Sequence, residues 1–205
     1  MQTHVQHVIP WPRRTRPIPR TVRTPLTWLE GALTLRDGDP VHVRAIHADD
    51  AERLRAFHAR QSPDTIIFRF FHYMPTLPAA AAEHFTHVDY ENRMALVATR
   101  GATKNAEILG VVRYDRIGPH TAEVAFIVDD HWQGHGIATA LLHRLAAYAR
   151  RYGITQFEAF TMGANARMLE VLRNAGYPER ARFEGGEADV TLDISSPAAG
   201  EPTAP

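Results

Sequence analysis

The stretch of residues 124–139 reads VAFIVDDHWQGHGIAT and carries the clearest structural signal in the chain. Its first five residues are apolar and predict a strand, and helically spaced apolar residues begin at Ile137. Between them, Gly134 and Gly136 let the backbone approach a ligand closely, and the first amides of the following helix lack internal partners at the positive end of its dipole. The stretch therefore predicts a strand, a turn and a helix start that together suit a diphosphate. A Gly-x-Gly pattern alone fits an ordinary turn equally well, so the rest of the chain has to decide.

The other apolar segments alternate between the spacing of strands and that of helices. Strands are predicted over 41–46, 94–99, 108–114 and 155–161, with a hairpin-like pair over 183–194 around Gly185 and Gly186. Helices are predicted from Ala48, over 79–88, from Ile137 to Tyr152 and over 165–174. This mixed order predicts an α/β or α+β domain, with one sheet covered by helices.

The two ends of the chain differ from the middle in composition. Residues 1–30 hold 5 prolines among arginines, and no acidic residue comes before Glu30. Because proline fixes φ and removes a backbone donor, this basic segment is predicted to be an extended or disordered tail. Residues 195–205, rich in Ser, Pro, Ala and Gly, are predicted to be a second one. A single folded domain is then expected over 31–194.

Charge and composition exclude several classes of function. Lys and Arg total 23, as do Asp and Glu, so nothing in the net charge favours nucleic acid or an anionic membrane as a partner. No apolar run approaches the roughly 18–20 residues of a membrane span. The absence of cysteine excludes disulfides and thiolate metal sites and fits a reducing compartment, so the cytoplasm is expected. His84, His87 and Asp89 lack a further ligand at a recognisable spacing, so no metal is expected.

Several motifs resemble those of the GNAT superfamily of acyltransferases. Gln133, Gly136 and Ala138 match its Gln/Arg-x-x-Gly-x-Gly/Ala motif, and 165–168 with 174–177 resemble its second cofactor segment. Four further stretches, 69–71, 88–90, 95–98 and 122–125, are similar to the bacterial Pat-type protein-lysine acetyltransferases. The resemblance covers residues 33–194. It implies a mixed, mostly antiparallel central sheet flanked by helices, and acetyl-CoA as the acyl donor.

The resemblance also implies which residues hold the acyl donor. Backbone groups of Phe126 and Val128, with Ile127 between them, should pair with the pantetheine arm and polarise the thioester carbonyl. The diphosphate should be held by Gln133, Gly134, His135, Gly136, Ile137, Ala138 and Thr139. Asn165 should contact the pantetheine or a phosphate, although a helix N-cap explains its position equally well.

Acetyl transfer to an amine needs a base, because a free lysine has a pKa of about 10.4 and is protonated at neutral pH. By resemblance, Glu123 in the Ala-Glu-Val-Ala stretch at 122–125 is that general base. Without the resemblance, Glu123 is more simply a solvated residue at the start of a strand. Tyr177 is a candidate general acid whose place after Gly176 also suits packing. The aromatic run of Phe68, Phe70, Phe71 and Tyr73 fits either a core or the wall of an acceptor groove.

The predicted activity is transfer of an acetyl group from acetyl-CoA to a protein lysine, with acyl-CoA synthetases as the type of target that the resemblance implies. Acetylation of a small amine would use the same base and the same diphosphate site. A third hypothesis is a non-catalytic acyl-CoA-binding sensor. A nucleic-acid-associated protein guided by its arginine tail is less favoured, because a solubilising leader explains that tail at least as well.

Overall fold

The chain forms one eight-stranded sheet with helices on both faces. This computed structural model describes residues 26–35, 38, 40–103 and 106–201. The strands are β1 Gly31–Thr34, β2 Pro40–Ala45, β3 Arg93–Arg100, β4 Ile108–Arg116, β5 Thr121–Val128, β6 Gln156–Met162, β7 Glu179–Glu184 and β8 Glu187–Asp193. The helices are α1 Ala51–Ala59, α2 Pro63–Phe70, α3 Ala79–Thr86, α4 Ile137–Arg151 and α5 Ala166–Arg173, with short 3-10 turns at Leu26–Trp28, Ala48–Asp50 and Asp130–Trp132.

The strand order across the sheet is β1-β2-β3-β4-β5-β6-β8-β7. All neighbours are antiparallel except β5 and β6, which α4 connects and which run parallel. These two strands pair only over residues 121–123 and 156–158, at the starts of both strands. The later part of β5 therefore has no strand partner on this side among the described residues, and the sheet opens there.

Two hydrophobic cores lie on opposite faces of the sheet. The larger core packs α4 through residues such as Leu141 and Leu145, while the smaller one packs α1 and α3. Along β5, the side chains of Ala122, Val124 and Phe126 are buried in the larger core. Because strand side chains alternate, Glu123 projects to the opposite face.

The strands predicted over 94–99, 108–114 and 124–128, in the middle of the domain, are confirmed. Two other elements were not predicted. Strand β1 lies in the short run before residue 35, and helix α2 lies between the first two predicted helices, where no element was predicted. Ser62 caps α2 by accepting from the Thr65 amide at 3.3 Å, and Pro63 takes its first position. The helix ends at Phe71, whose φ of 61° is left-handed. The aromatic run over 68–73 obscured this helical pattern.

The packed unit extends beyond both predicted boundaries of 31 and 194. Leu29 is fully buried in the larger core, so packing begins ahead of residue 31. At the other end Ala198 is buried, and Glu201 pairs with Arg150 and accepts from the Tyr177 hydroxyl. The segment 195–201 is therefore anchored to the domain at Ala198 and Glu201, while the residues between and before them are exposed. The rest of both predicted tails lies outside the described residues. Within the described part of the chain, none of the helices is long and apolar enough to cross a membrane.

Candidate active site

A cavity of about 1500 Å³ opens where β5 and β6 part. One wall is β5 from Glu123 to Val128, and others come from α2, the first turns of α4, the end of β6 and the start of α5. The two strands diverge because their parallel pairing stops after residue 123, while α2 packs against both of them. A single cavity thus joins the predicted general base to the predicted diphosphate site.

The diphosphate site is the turn that leads into α4. Gly134 and Gly136 have φ values of 84° and 88°, and an added Cβ at either position would meet nothing within 4 Å. The glycines are therefore needed for their left-handed backbone rather than for space. Within the described residues no side chain caps α4 at Gly136, so the first amides of the helix are available to an anion.

A third glycine, which the sequence analysis did not single out, lets this turn sit against the sheet. A Cβ on Gly110 of β4 would lie 3.2 Å from Ile137 Cγ2 and 3.4 Å from Val128 Cγ2. The start of α4 approaches β4 closely because that side chain is missing. Ile137, Ala138 and Thr139 all line the cavity, and the side chain of Ile137 is buried in the larger core.

The turn is also held from the side by α2. Asp130 accepts from the Ser62 amide at 2.7 Å and from Thr65 Oγ1 at 2.6 Å. Gln133 Nε2 lies within hydrogen-bonding distance of Val128 O at 3.1 Å and of Asp130 Oδ1 at 3.2 Å. Gln133 therefore braces the turn with its side chain. The sequence analysis missed the Asp130 clamp, because its partners lie more than 60 residues away along the chain.

His135 does not face the cavity, although it was predicted to contact the diphosphate. Its ring Nδ1 lies 3.0 Å from Gln133 O, and its side chain lines a smaller pocket of about 420 Å³ behind the turn. There it packs 5.8 Å from the Trp132 ring. The left-handed glycines on each side turn this residue outward, so any part it takes in binding falls to its backbone.

The unpaired edge of β5 runs alongside the cavity. Gly110 pairs with Val128, and Val112 with Phe126, so β4 occupies one edge of the strand. The other edge, from residue 124 on, has no strand partner within the described part of the chain. Its backbone groups can pair with an extended ligand as an added strand would. The side chains of Phe126 and Ile127 point to the two faces of the sheet.

Asn165 faces the cavity and also caps α5. Its side-chain oxygen accepts from the Met168 amide at 3.2 Å, and its Nδ2 donates to Thr161 Oγ1 at 3.1 Å. The cap proposed for this residue on sequence grounds is confirmed, and its place in the lining leaves it within reach of a ligand.

Glu123 lines the cavity beside Arg69, Phe68 and Phe71 from the end of α2. It pairs in register with Asp115 of β4 and Glu158 of β6, so the three carboxylates project from the same face of the sheet. Glu158 itself is not part of the cavity wall.

Arg69 and Arg113 place positive charge near Glu123. Burial, with the neighbouring charge of Arg113, lowers the pKa of Arg69 to about 10, while Glu123 and Asp115 oppose that shift. Burial likewise lowers the pKa of Arg113, whose guanidinium donates to Asp115. Glu123 therefore lies within electrostatic reach of the guanidinium groups of Arg69 and Arg113.

The aromatic run splits between two environments. Phe68 and Phe71 line the cavity, whereas the Phe70 ring packs 5.6 Å from His58 and 6.4 Å from Phe85. Tyr73 is exposed. Both alternatives for this run, core and groove wall, therefore apply, each to different members.

Tyr177 is not placed to act as the general acid. It is buried, is not part of the cavity wall, and donates its hydroxyl to Glu201. As for metals, the described residues contain no group of three or more His, Asp or Glu side chains that could hold an ion. His84 Nε2 instead lies 3.0 Å from Arg93 Nη2.

The chain is similar to known acetyltransferases in both sequence and structure. The acetyltransferase (GNAT) domain family matches residues 41–178. An acetyltransferase of Pseudomonas aeruginosa is 30% identical over 151 residues, 73% of this chain and 80% of that protein. Acetyltransferase Pat of Mycolicibacterium smegmatis is 29% identical over 144 residues, 69% of this chain but 42% of Pat. The crystal structure of the GNAT domain of S. lividans PAT has a TM-score of 0.75 and 40% identity, covering 83% of this chain and 99% of that one. With its strand, glycine turn and helix opening into one cavity, this chain belongs to the GNAT family of acyl-CoA-dependent N-acetyltransferases.

Proposed function

We propose that this protein transfers an acetyl group from acetyl-CoA to the side-chain amine of a protein lysine, with Glu123 as the general base. The observation that supports this most directly is that Glu123, the unpaired edge of β5 and the glycine turn before α4 all open into the same cavity. An extended acyl donor with a diphosphate at one end and a thioester at the other fits this arrangement.

The diphosphate would bind the free amides at the start of α4, between Gly134 and Thr139. The pantetheine arm would then lie along β5 from Val128 towards Glu123, pairing with the strand edge. Five residues of extended strand span roughly 17 Å, which places the thioester well away from the phosphates and near the carboxylate. A backbone N–H of β5 would polarise the thioester carbonyl as negative charge develops on its oxygen.

The carboxylate of Glu123 takes a proton from the acceptor ammonium, directly or through one water. The neutral nitrogen then attacks the thioester carbon, a C–N bond forms, and the C–S bond breaks to release the CoA thiolate. A proton from the new amide nitrogen or from water neutralises the thiolate. None of these steps requires a metal or a covalent intermediate on the protein.

The choice of a protein acceptor is supported by the resemblance to Pat-type enzymes and by the identity with the S. lividans PAT domain. At the acceptor end of the cavity, Phe68 and Phe71 supply apolar contact for a lysine methylene chain, and the carboxylate of Glu123 attracts its ammonium. These groups would suit a polyamine as well, so the acceptor has to be tested.

The test is acetyl-CoA turnover, followed by free-thiol release, with an acyl-CoA synthetase protein and a panel of small amines offered separately at equal concentrations. Turnover on the protein, with acetyl-lysine detected by mass spectrometry, supports the proposal. Turnover only on a small amine would transfer the function to metabolite acetylation. Binding of acetyl-CoA without turnover on any acceptor would favour an acyl-CoA sensor.

A further inference from the structure

The cavity does not end at the glycine turn. It continues along one stripe of α4 through Ala140, His143 and Arg144, and Gly200 of the C-terminal segment borders the same space. Residues 136, 140 and 144 follow the i, i+4 spacing of a helix face, and the small side chain of Ala140 leaves that face open.

Arg144 has no carboxylate partner among the described residues at this end of the cavity. Its guanidinium donates to the carbonyls of Leu29, Gly31 and Ala32 at 3.3–3.5 Å, which is long for such bonds. Within residues 26–35, 40–103 and 106–201, no carboxylate forms an ion pair with it. Burial lowers the pKa of Arg144. A partly buried positive charge on a cavity wall favours an anionic ligand.

The chemistry of the acyl donor identifies that anion. Coenzyme A joins its pantetheine to its adenosine through the diphosphate, so a cavity that holds the whole molecule needs room for the adenosine beyond the glycine turn, and the part along α4 offers that room. With the pantetheine along β5, the adenosine and its 3′-phosphate are directed along α4. Arg144 lies about 12 Å along the axis from Gly136, and a long helical side chain leans back towards the N-terminus.

A second arginine, Arg167, contacts the glycine turn through the side chain of Gln133. Arg167 Nη1 donates to Gln133 Oε1 at 2.5 Å, which holds it beside the diphosphate site. Arg144 and Arg167 thus mark two different places in one cavity. Glu170, an exposed carboxylate on the same wall as Arg167, is not paired with Arg144 in the described structure.

We infer that Arg144 recognises the 3′-phosphate of the acyl donor, so that this enzyme discriminates coenzyme A from dephospho-coenzyme A. This inference rests on the proposed function, since it takes the glycine turn as the diphosphate site. It assigns Arg144 to affinity and donor selection, with no part in the chemical step.

Calorimetric titration of the full chain with CoA and with dephospho-CoA tests this inference. Wild type should bind CoA about tenfold to a hundredfold more tightly, the range of a charge-assisted hydrogen-bonded pair. Arg144→Ala should lose that advantage while its dephospho-CoA affinity stays within about twofold of wild type, which also shows that the site still folds. Arg144→Lys should keep part of the preference for CoA over dephospho-CoA.

Arg167→Ala is the matched control, because it should weaken CoA and dephospho-CoA by the same factor. The inference is overturned if wild type does not discriminate the two ligands, or if Arg144→Ala weakens both equally. Discrimination that disappears in Arg167→Ala and persists in Arg144→Ala would also reject it. CoA that binds without discrimination would leave the proposed function intact, whereas failure of wild type to bind CoA at all would reject both.

Discussion

Thr65 Oγ1 donates a 2.6 Å hydrogen bond to Asp130 Oδ1, and this bond ties the start of α2 to the turn that precedes α4. The same carboxylate accepts from the backbone amide of Ser62 at 2.7 Å. Asp130 therefore fixes α2, which brings Phe68 and Phe71 to the cavity wall, relative to the turn of the predicted diphosphate site. A change that displaces α2 is therefore expected to displace the turn before α4 as well.

We expect Asp130→Ala to weaken acetyl-CoA binding and to lower the free energy of unfolding by about 2 kcal/mol, because it removes hydrogen bonds to a charged group and leaves their donors unpaired. Denaturant titration and calorimetry measure the two effects. Asp189→Asn, an exposed residue of β8, is the control and should change neither. Combining Asp130→Ala with Thr65→Val should give less than the sum of the two single losses. Additive effects would show that the clamp does not act as a unit.

Glu123→Gln is expected to lower kcat by about a hundredfold or more while the Kd for acetyl-CoA changes little, because the substitution removes a proton acceptor and keeps the shape. Glu158→Gln is a close control, since that carboxylate lies in register on the next strand and outside the cavity wall. Steady-state turnover of both variants separates the two roles. Unchanged turnover in Glu123→Gln, or an equal loss in Glu158→Gln, would remove Glu123 from the mechanism.

At the glycine turn, Gly136→Glu should abolish CoA binding, since it places bulk and negative charge where the diphosphate is expected. The φ of 88° adds strain of about 1–2 kcal/mol for any side chain, so Gly136→Ala measures the backbone effect alone. Calorimetry with CoA on both variants, beside thermal melting, distinguishes strain from repulsion. Normal CoA binding in Gly136→Glu would contradict the location of the diphosphate site.

Glu201 should stabilise the C-terminal segment in a pH-dependent way. Burial alone would raise its pKa, but hydrogen bonds from Arg150, Tyr177 and the Ala198 amide outweigh burial, and the pKa lies below its ordinary value. A lowered folded-state pKa means that the stabilisation is present above the unfolded pKa of about 4.3 and is lost as the pH falls through the folded value.

Glu201→Gln should therefore lower the free energy of unfolding by about 1–2 kcal/mol at pH 7, and its difference from wild type should shrink below about pH 4.5. Urea unfolding of both proteins at a series of pH values measures this difference. Glu187→Gln, an exposed residue of β8, serves as the control. A difference that does not change with pH would show that the ion pair contributes nothing.

The central strands, the long helix α4 and the glycine turn were predictable, because each depends on a short run of residues. Helix α2 was missed although Ser62 and Pro63 form an ordinary helix start, because the aromatic run that follows serves the cavity and the core at once. The C-terminal segment was misjudged for a related reason. Its composition is that of a tail, and only the folded structure shows that Arg150 and the buried Tyr177 hold Glu201.

The local unit of strand, glycine turn and helix over 124–139 follows from the amino-acid sequence, since glycine conformation and apolar periodicity act within a few residues. Three relationships follow only from the packing of the folded chain: His135 turns away, Asp130 bonds to the start of α2, and Arg144 lines the same cavity as Glu123. Those relationships join residues that are far apart in the chain. They arise from the parting of β5 and β6, which depends on how the whole sheet packs and on no local pattern.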